Sequence, residues 1–278
     1  MSEPIHEMTA AERVALVERE KHRITYRNIT LSFAGILLFL LIWEGLALSG
    51  IVDSRILCDV LEVLRLFVTK LSDPNPDGAV LTVHIWSSLQ VALLGFLLAV
   101  VIGVPLGWLM GWYRGADSFL RPIFELIRPI PPVSWIPLTI VWLGIGLPAK
   151  SFIVFFAAFV PCLINAYTGI RQTKEVLKNV GKTFGASYFT VFVKVGIPSS
   201  LVMTFAGIKV AIGNAWATLV AAEMLAASSG LGYMILMGRS YARVDLIILG
   251  IVVIGVLGVI ISAIINRLER IFLGWRYV

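Results

Sequence analysis

The chain has 278 residues, of which 58% are hydrophobic and 14% charged, where an ordinary soluble domain carries about a quarter charged residues. Together with a mean hydropathy of +0.90 this excludes a soluble globular protein and requires an all-α integral membrane one. The net charge of +6 then concerns topology and anionic lipid rather than nucleic acid, since basic residues do not alternate with aromatic ones on a soluble face.

Residues 1–28 are polar and read as a cytoplasmic N-terminal segment, with Thr9 and Glu12 in a capping-box pattern and no cleavable signal. Residues 29–278 form the transmembrane domain. Six hydrophobic stretches near the ~20 residues that cross a bilayer are expected at about 29–49, 85–112, 121–144, 150–170, 200–222 and 245–266. Glu44 lies near the outer end of the first and is expected to be structural. Beyond it, Arg55 to Leu71 places Leu57, Val60, Leu64, Phe67 and Leu71 on one helical face, as in an interfacial helix, and Asp73 to Gly78 turns the chain. Cys58 and Cys162 cannot build a disulfide framework or a metal site by themselves. His6, His22 and His84 lie far apart in polar flanks, and solvated side chains are expected for all three.

In the second span Gly95, Ala99, Gly103, Gly107, Gly111 and Gly115 recur every four residues, a strip that lets another helix approach closely. The third contains Arg128-Pro-Ile-Pro-Pro132 and Pro137, which no regular helix accommodates. Broken backbone at membrane depth persists where it is buried in protein or lines a wet cavity, and transporters place sites and gates there. In the fifth, Gly207, Ala211, Asn214, Thr218 and Ala222 share a face that suits either a polar pathway or helix packing. Lys209 and Glu223 are charges within that span, hence functional candidates, although each lies near enough to an interface to reach it.

Between the fourth and fifth spans, residues 171–199 are polar. Lys174, Lys178 and Lys182 form one stripe of a short helix, and Val176, Val180 and Phe184 form another. Gly185 ends that helix, Ala186 to Val195 suits a second short helix, and Pro198 suits the first turn of whatever follows. Two short helices between spans make a rigid peg. Gly181-Lys182-Thr183 is not a phosphate-binding loop, because Val176 stands where the first glycine of that motif belongs.

Basic residues orient the chain. Segments 1–28, 113–128, 171–199 and 267–278 carry sixteen Lys or Arg against six in 51–84, 145–150 and 223–244, which places both termini and the peg in the cytoplasm.

Gly185-Ala186-Ser187, followed by Ile197-Pro198, resembles the cytoplasmic coupling loop of ABC importer permeases, with Asn179-Val180-Gly181 where the family has Glu-Ala-Ala. The stretch from Arg128 to Gly146 and that from Ala215 to Tyr233 resemble the taurine, alkanesulfonate and nitrate branch. The likeness runs from about residue 85 to 265, and the chain departs from it at Ser54 to Asp59, where the branch is proline-rich.

The resemblance implies a type I permease fold with six transmembrane helices in a bacterial inner membrane. It implies a homodimer, two ATPase subunits that bind ATP and magnesium, and an extracytoplasmic binding protein. The chain itself would hold no cofactor and perform no covalent chemistry. Coupling to the ATPase would fall to Val180, Gly181, Phe184, Gly185, Ala186 and Pro198. The pathway for a small anion such as taurine, another sulfonate, nitrate or bicarbonate would involve Arg128, Pro131, Pro132, Trp135, Lys209, Asn214, Thr218 and Glu223. A secondary transporter or channel would instead need a central intramembrane carboxylate or ion relay, and the sequence offers no central Asp or Glu.

Overall fold

A computed structural model describes residues 10–53, 56–226 and 228–274, and its regular elements are all helical. Thr9, and with it the expected capping box, lies outside the described residues, as do His6, Ser54, Arg55 and the side chain of His22. The chain divides into two units, Met1–Leu64 and Arg65–Val278.

In the first unit, α1 (Ala10–Leu48) runs unbroken across the boundary at residue 28. Its apolar part, Tyr26–Leu48, is about 35 Å long at 1.5 Å per residue, enough to cross a hydrocarbon core. Phe33, Leu37, Phe39 and Leu41 are exposed around its circumference, the pattern of a helix meant for lipid. Trp43 Nε1 donates to the Cys58 carbonyl at 3.0 Å, and the Val60 amide donates to Glu44 Oε2 at 2.9 Å. Glu44 is structural, as expected: it supplies an acceptor at the start of α2 (Val60–Lys70). The expected apolar face of α2 remains exposed at Leu64, Phe67 and Leu71.

The second unit is built on α3 (Leu81–Trp112), α6 (Leu147–Arg171) and α9 (Ile197–Ala226), with α6 packed between the other two. The glycine strip is the reason they fit. A Cβ on Gly95 would sit 2.6 Å from the Ser151 carbonyl oxygen, and one on Gly107 2.4 Å from that of Leu163. Gly103 and Gly111 also face α6, whereas Gly115 faces open space. Ala99, Ala158, Ala166, Ala211 and Ala215 fill the core between the three helices. In lipid such contacts hold helices together by close van der Waals packing, because water no longer drives association.

The third hydrophobic stretch is two helices. The first, α4 (Arg114–Ile127), ends at Arg128. A 3₁₀ turn at Pro132–Trp135 then leads into α5 (Ile136–Leu143), bent 85° from α4. Among the described residues five helices are long and apolar enough to cross a membrane, or six when this bent pair counts as one span.

After α6 come α7 (Glu175–Thr183) and α8 (Tyr188–Val191). Here the fold departs from the expected pair of free-standing short helices: α8 continues through a π turn (Phe192–Gly196) into α9. Pro198 explains the turn. It brings no N–H and crowds the carbonyl four residues back, so the ladder widens and the Ile197 amide reaches the Phe192 carbonyl instead. The last helices are α10 (Leu231–Ser240) and α11 (Val244–Phe272).

Candidate functional site

Three places in the second unit bring functional side chains together: the polar loop between α6 and α9, the proline hinge between α4 and α5, and the face of α9.

The loop is held rigidly. Gly185 has φ +75°. Its amide donates to the Lys182 carbonyl at 2.9 Å and that of Ala186 to the Gly181 carbonyl at 3.0 Å, the paired bonds that close a helix on a left-handed residue. Ser187 then caps α8 by accepting from the Thr190 amide at 3.1 Å. Behind the loop, Trp112 and Tyr113 at the end of α3 meet Tyr188 and Phe192 with ring centroids 5.5–5.6 Å apart, and Tyr188 Oη donates to the Trp112 carbonyl at 2.9 Å. Lys178 Nζ lies over the Trp112 ring at 5.2 Å. Gly181 abuts Val191, and Gly196 abuts the Trp112 ring.

Outward, the loop presents Val176, Val180, Phe189 and Phe184, the last 85% exposed, beside exposed Lys174 and Lys182. Val180, Gly181, Phe184, Gly185 and Ala186 thus lie together at the C-terminal end of α7, while Pro198 lies beyond the π turn in α9. The aromatic seat formed by Trp112 and Tyr113 was not legible in the sequence, because it joins the end of one span to a loop about eighty residues later.

At the hinge, Arg128 and Pro131 are exposed and Pro132 and Trp135 partly buried. Thr139 Oγ1 donates back to the Trp135 carbonyl at 2.6 Å and the Ile136 carbonyl at 3.0 Å, as a threonine hydroxyl does one turn along a helix. The Trp135 ring stacks on Phe156 at 5.2 Å, and its indole N–H has no partner among the described residues. Between α4 and α6 lies a cavity of about 240 Å³ bordered by Arg121, Glu125, Arg128, Tyr167 and Thr168. Arg121 and Arg171 both donate to Tyr167 Oη, and Arg121 also pairs with Asp117 at 3.0 Å. Hinge and outer α9 meet where Ile136, Ile153 and Ala222 are buried together.

The α9 face splits in two. Gly207 and Ala211 pack inward, Gly207 against Pro161 and Asn165 of α6, and Ala222 is likewise buried. Asn214 is exposed and Thr218 partly so, alongside exposed Ala206, Val210 and Ala217. Lys209 forms an ion pair with Glu269 of α11. Glu223 is fully buried inside the unit, where Ser88 Oγ donates to its carboxylate at 2.8 Å and the Gly232 amide at 2.9 Å.

The expectation of a solvated His84 is overturned: the side chain is fully buried, 3.0 Å from Asp77 Oδ2, and accepts from the Gly230 amide at 3.1 Å. Its polar flank misled, because that flank folds over the end of α3 and supplies the histidine's partners. Among the described residues no three His, Cys, Asp or Glu side chains gather as they would around a metal ion.

The sequence profile of the binding-protein-dependent transport system inner membrane component family matches residues 103–273, a region that runs from mid-α3 through the loop to the end of α11. The chain belongs to this family. As a permease it is similar to the taurine transport system permease of Escherichia coli, with 30% identity over 249 residues covering 90% of each chain. A Methanocaldococcus jannaschii protein named as an ABC transporter permease is 35% identical over 255 residues, 91% of this chain and 95% of its own. The nitrate import permease of Leptolyngbya laminosa is 31% identical over 183 residues, 66% of each. Among solved structures, the MetNI methionine ABC transporter in an inward facing form shares the fold at a TM-score of 0.59 and 20% identity, covering 69% of this chain and 95% of that one. The protein is therefore a multi-pass membrane permease subunit of an ATP-driven ABC importer.

Proposed function

We propose that this permease works as a homodimer in a bacterial inner membrane, with two ATPase subunits on its cytoplasmic side and a binding protein outside, and that it carries a small oxyanion of the sulfonate class. The loop of residues 171–199 is the observation that carries the reading. A turn closed by two backbone bonds, seated on aromatic rings and presenting Phe184 and Val180 outward, is shaped to be pushed. Because α8 continues into α9, a displacement of the loop passes to the helix that bears Asn214 and Thr218.

ATP and magnesium belong to the partner subunits in this scheme, and the permease moves by alternating access. Purification of the tagged permease should bring the ATPase subunits with it. Recovery of a transport-competent permease alone would favour a secondary transporter and overturn the reading. Mass spectrometry of the small molecule retained by the binding protein identifies the substrate.

The pathway is assigned to Arg128, Pro131, Pro132 and Trp135 at the hinge and to Asn214, Thr218 and Lys209 on α9, with Glu223 shaping the outer end from within. An anion leaving water needs donors in place of its hydration, and Asn214 and Thr218 supply them without a full charge that would trap it. The double variant Asn214→Leu/Thr218→Val should insert and recruit the ATPase normally yet lose about tenfold in uptake, the effect of ~1–3 kcal/mol of hydrogen bonding. Unchanged uptake would assign this face to helix packing in the dimer.

Orientation has its own test. Cys58 and Cys162 are both buried and so give a silent background for thiol labelling. An impermeant maleimide applied to spheroplasts should modify Tyr241→Cys, which is exposed between α10 and α11, and should spare Val176→Cys in α7 until lysis. The reverse order would invert the topology.

A further inference from the structure

We propose that His84 is a proton-sensitive positioning residue: when neutral it accepts from the Gly230 amide at the start of α10, and its protonation withdraws that acceptor, leaving the turn to the bonds that Ser87, Ser88 and Glu223 make. Gly230 is the N-cap of α10, and the amides of Gly230, Leu231 and Gly232 belong to a helix start, where backbone donors have no partner within the helix. Side chains from two other helices satisfy them. Gly230 donates to His84 Nδ1 at 3.1 Å, Leu231 to Ser88 Oγ at 2.8 Å and Gly232 to Glu223 Oε2 at 2.9 Å. Gly230 itself sits at φ +127°, and a Cβ there would lie 2.3 Å from the Glu223 carboxylate, so the turn fits its seat without slack.

The hydrogen bonding dictates the tautomer. A backbone amide can only donate, so Nδ1 carries no proton and Nε2 must carry the one that neutral imidazole has. Nε2 faces Asp77 Oδ2 at 3.0 Å, and among the described residues neither atom has another hydrogen-bond partner. Asp77 Oδ1 is taken by Lys70, whose ammonium also donates to the carbonyls of Pro74 at 3.1 Å and Asn75 at 3.0 Å. A second proton on His84 would have to sit on Nδ1, donor against donor at Gly230, and the amide would lose its acceptor.

Every other charged group facing the ring leaves this logic intact. Asp77 and Lys70 lie on the loop side. From α10 the Tyr233 ring stacks at 6.4 Å, and from α9 Glu223 faces it, backed by buried Lys150 of α6. Burial raises the Asp77 carboxyl, while the hydrogen bonds from His84 and Lys70 and the charge of Lys70 lower it, and the carboxyl lies below its ordinary 3.8. Its stabilising contribution is therefore complete above the ordinary carboxylate range and lost only as pH falls through that lowered value.

The side from which the proton arrives rests on the proposed orientation, in which this end of the bundle faces the binding protein. The test is hydrogen exchange on the assembled transporter in proteoliposomes, with pH set separately on each side and rates corrected for their intrinsic pH dependence. On acidifying the outer side from about pH 7.5 to about 5.5, the Gly230 amide should exchange roughly tenfold faster in the wild type, while those of Leu231 and Gly232, held by Ser88 and Glu223, change less. His84→Asn keeps an acceptor that cannot be protonated and should stay protected at both values. His84→Leu has no acceptor and should be unprotected at both. Unchanged protection in the wild type would overturn the proposal, as would loss in His84→Asn in step with the wild type. A response to acid on the ATPase side alone would support the device while refuting the orientation.

Discussion

Uptake should fall by at least an order of magnitude in Gly185→Val, with the permease still inserted and its ATPase subunits still hydrolysing ATP. A β-branched residue at φ +75° is strained by ~1–3 kcal/mol, and the two backbone bonds that close α7 on this residue make relaxation costly. Among the described residues no heavy atom lies within 4 Å of a Cβ built on Gly185, so the effect would come from the backbone and not from a clash. That distinction supplies a control: Gly185→Asn, which tolerates the left-handed conformation, should restore most of the uptake. Parallel measurement of uptake and ATP hydrolysis in proteoliposomes reads the outcome. Near wild-type uptake in the valine variant would show that this turn does not transmit the stroke.

The second large effect is expected at Glu223. Its carboxylate accepts from Ser88 Oγ and the Gly232 amide in a site that water does not reach, and buried Lys150 acts on it electrostatically. Glu223→Ala leaves both donors without an acceptor, at ~1–3 kcal/mol each, and leaves Lys150 without its countercharge. The expected result is a purified protein with a clearly lower thermal midpoint and little uptake. Glu223→Gln still offers an acceptor to Gly232 and should recover stability more than transport. Glu223→Ala with wild-type stability but no uptake would return this residue to the pathway itself.

These two residues show how unevenly the sequence spoke. Gly185 was legible because helix termination is local: a cationic and an apolar stripe stop together, and a glycine follows. Glu223 was visible as a charge in an apolar span, but its surroundings were not, since Ser88 lies 135 positions away. Lys209 carries the same lesson, for its partner Glu269 is on another span.

By itself the sequence determined that the chain is a membrane protein with six hydrophobic stretches, that the third of them breaks at its prolines, and that a stiff polar loop precedes the fifth. Each of these follows from span length, missing backbone donors or helical periodicity, all of which act within a few turns of one segment. Only the tertiary structure decided that the glycine strip on α3 meets α6, that α8 runs on into α9, and that His84 is buried with Asp77 and Gly230. In a membrane bundle, whether a polar side chain is solvated, paired or wasted depends on which distant segment is folded against it. The Gly230 amide that sets the tautomer of His84 stands 146 positions further along the chain.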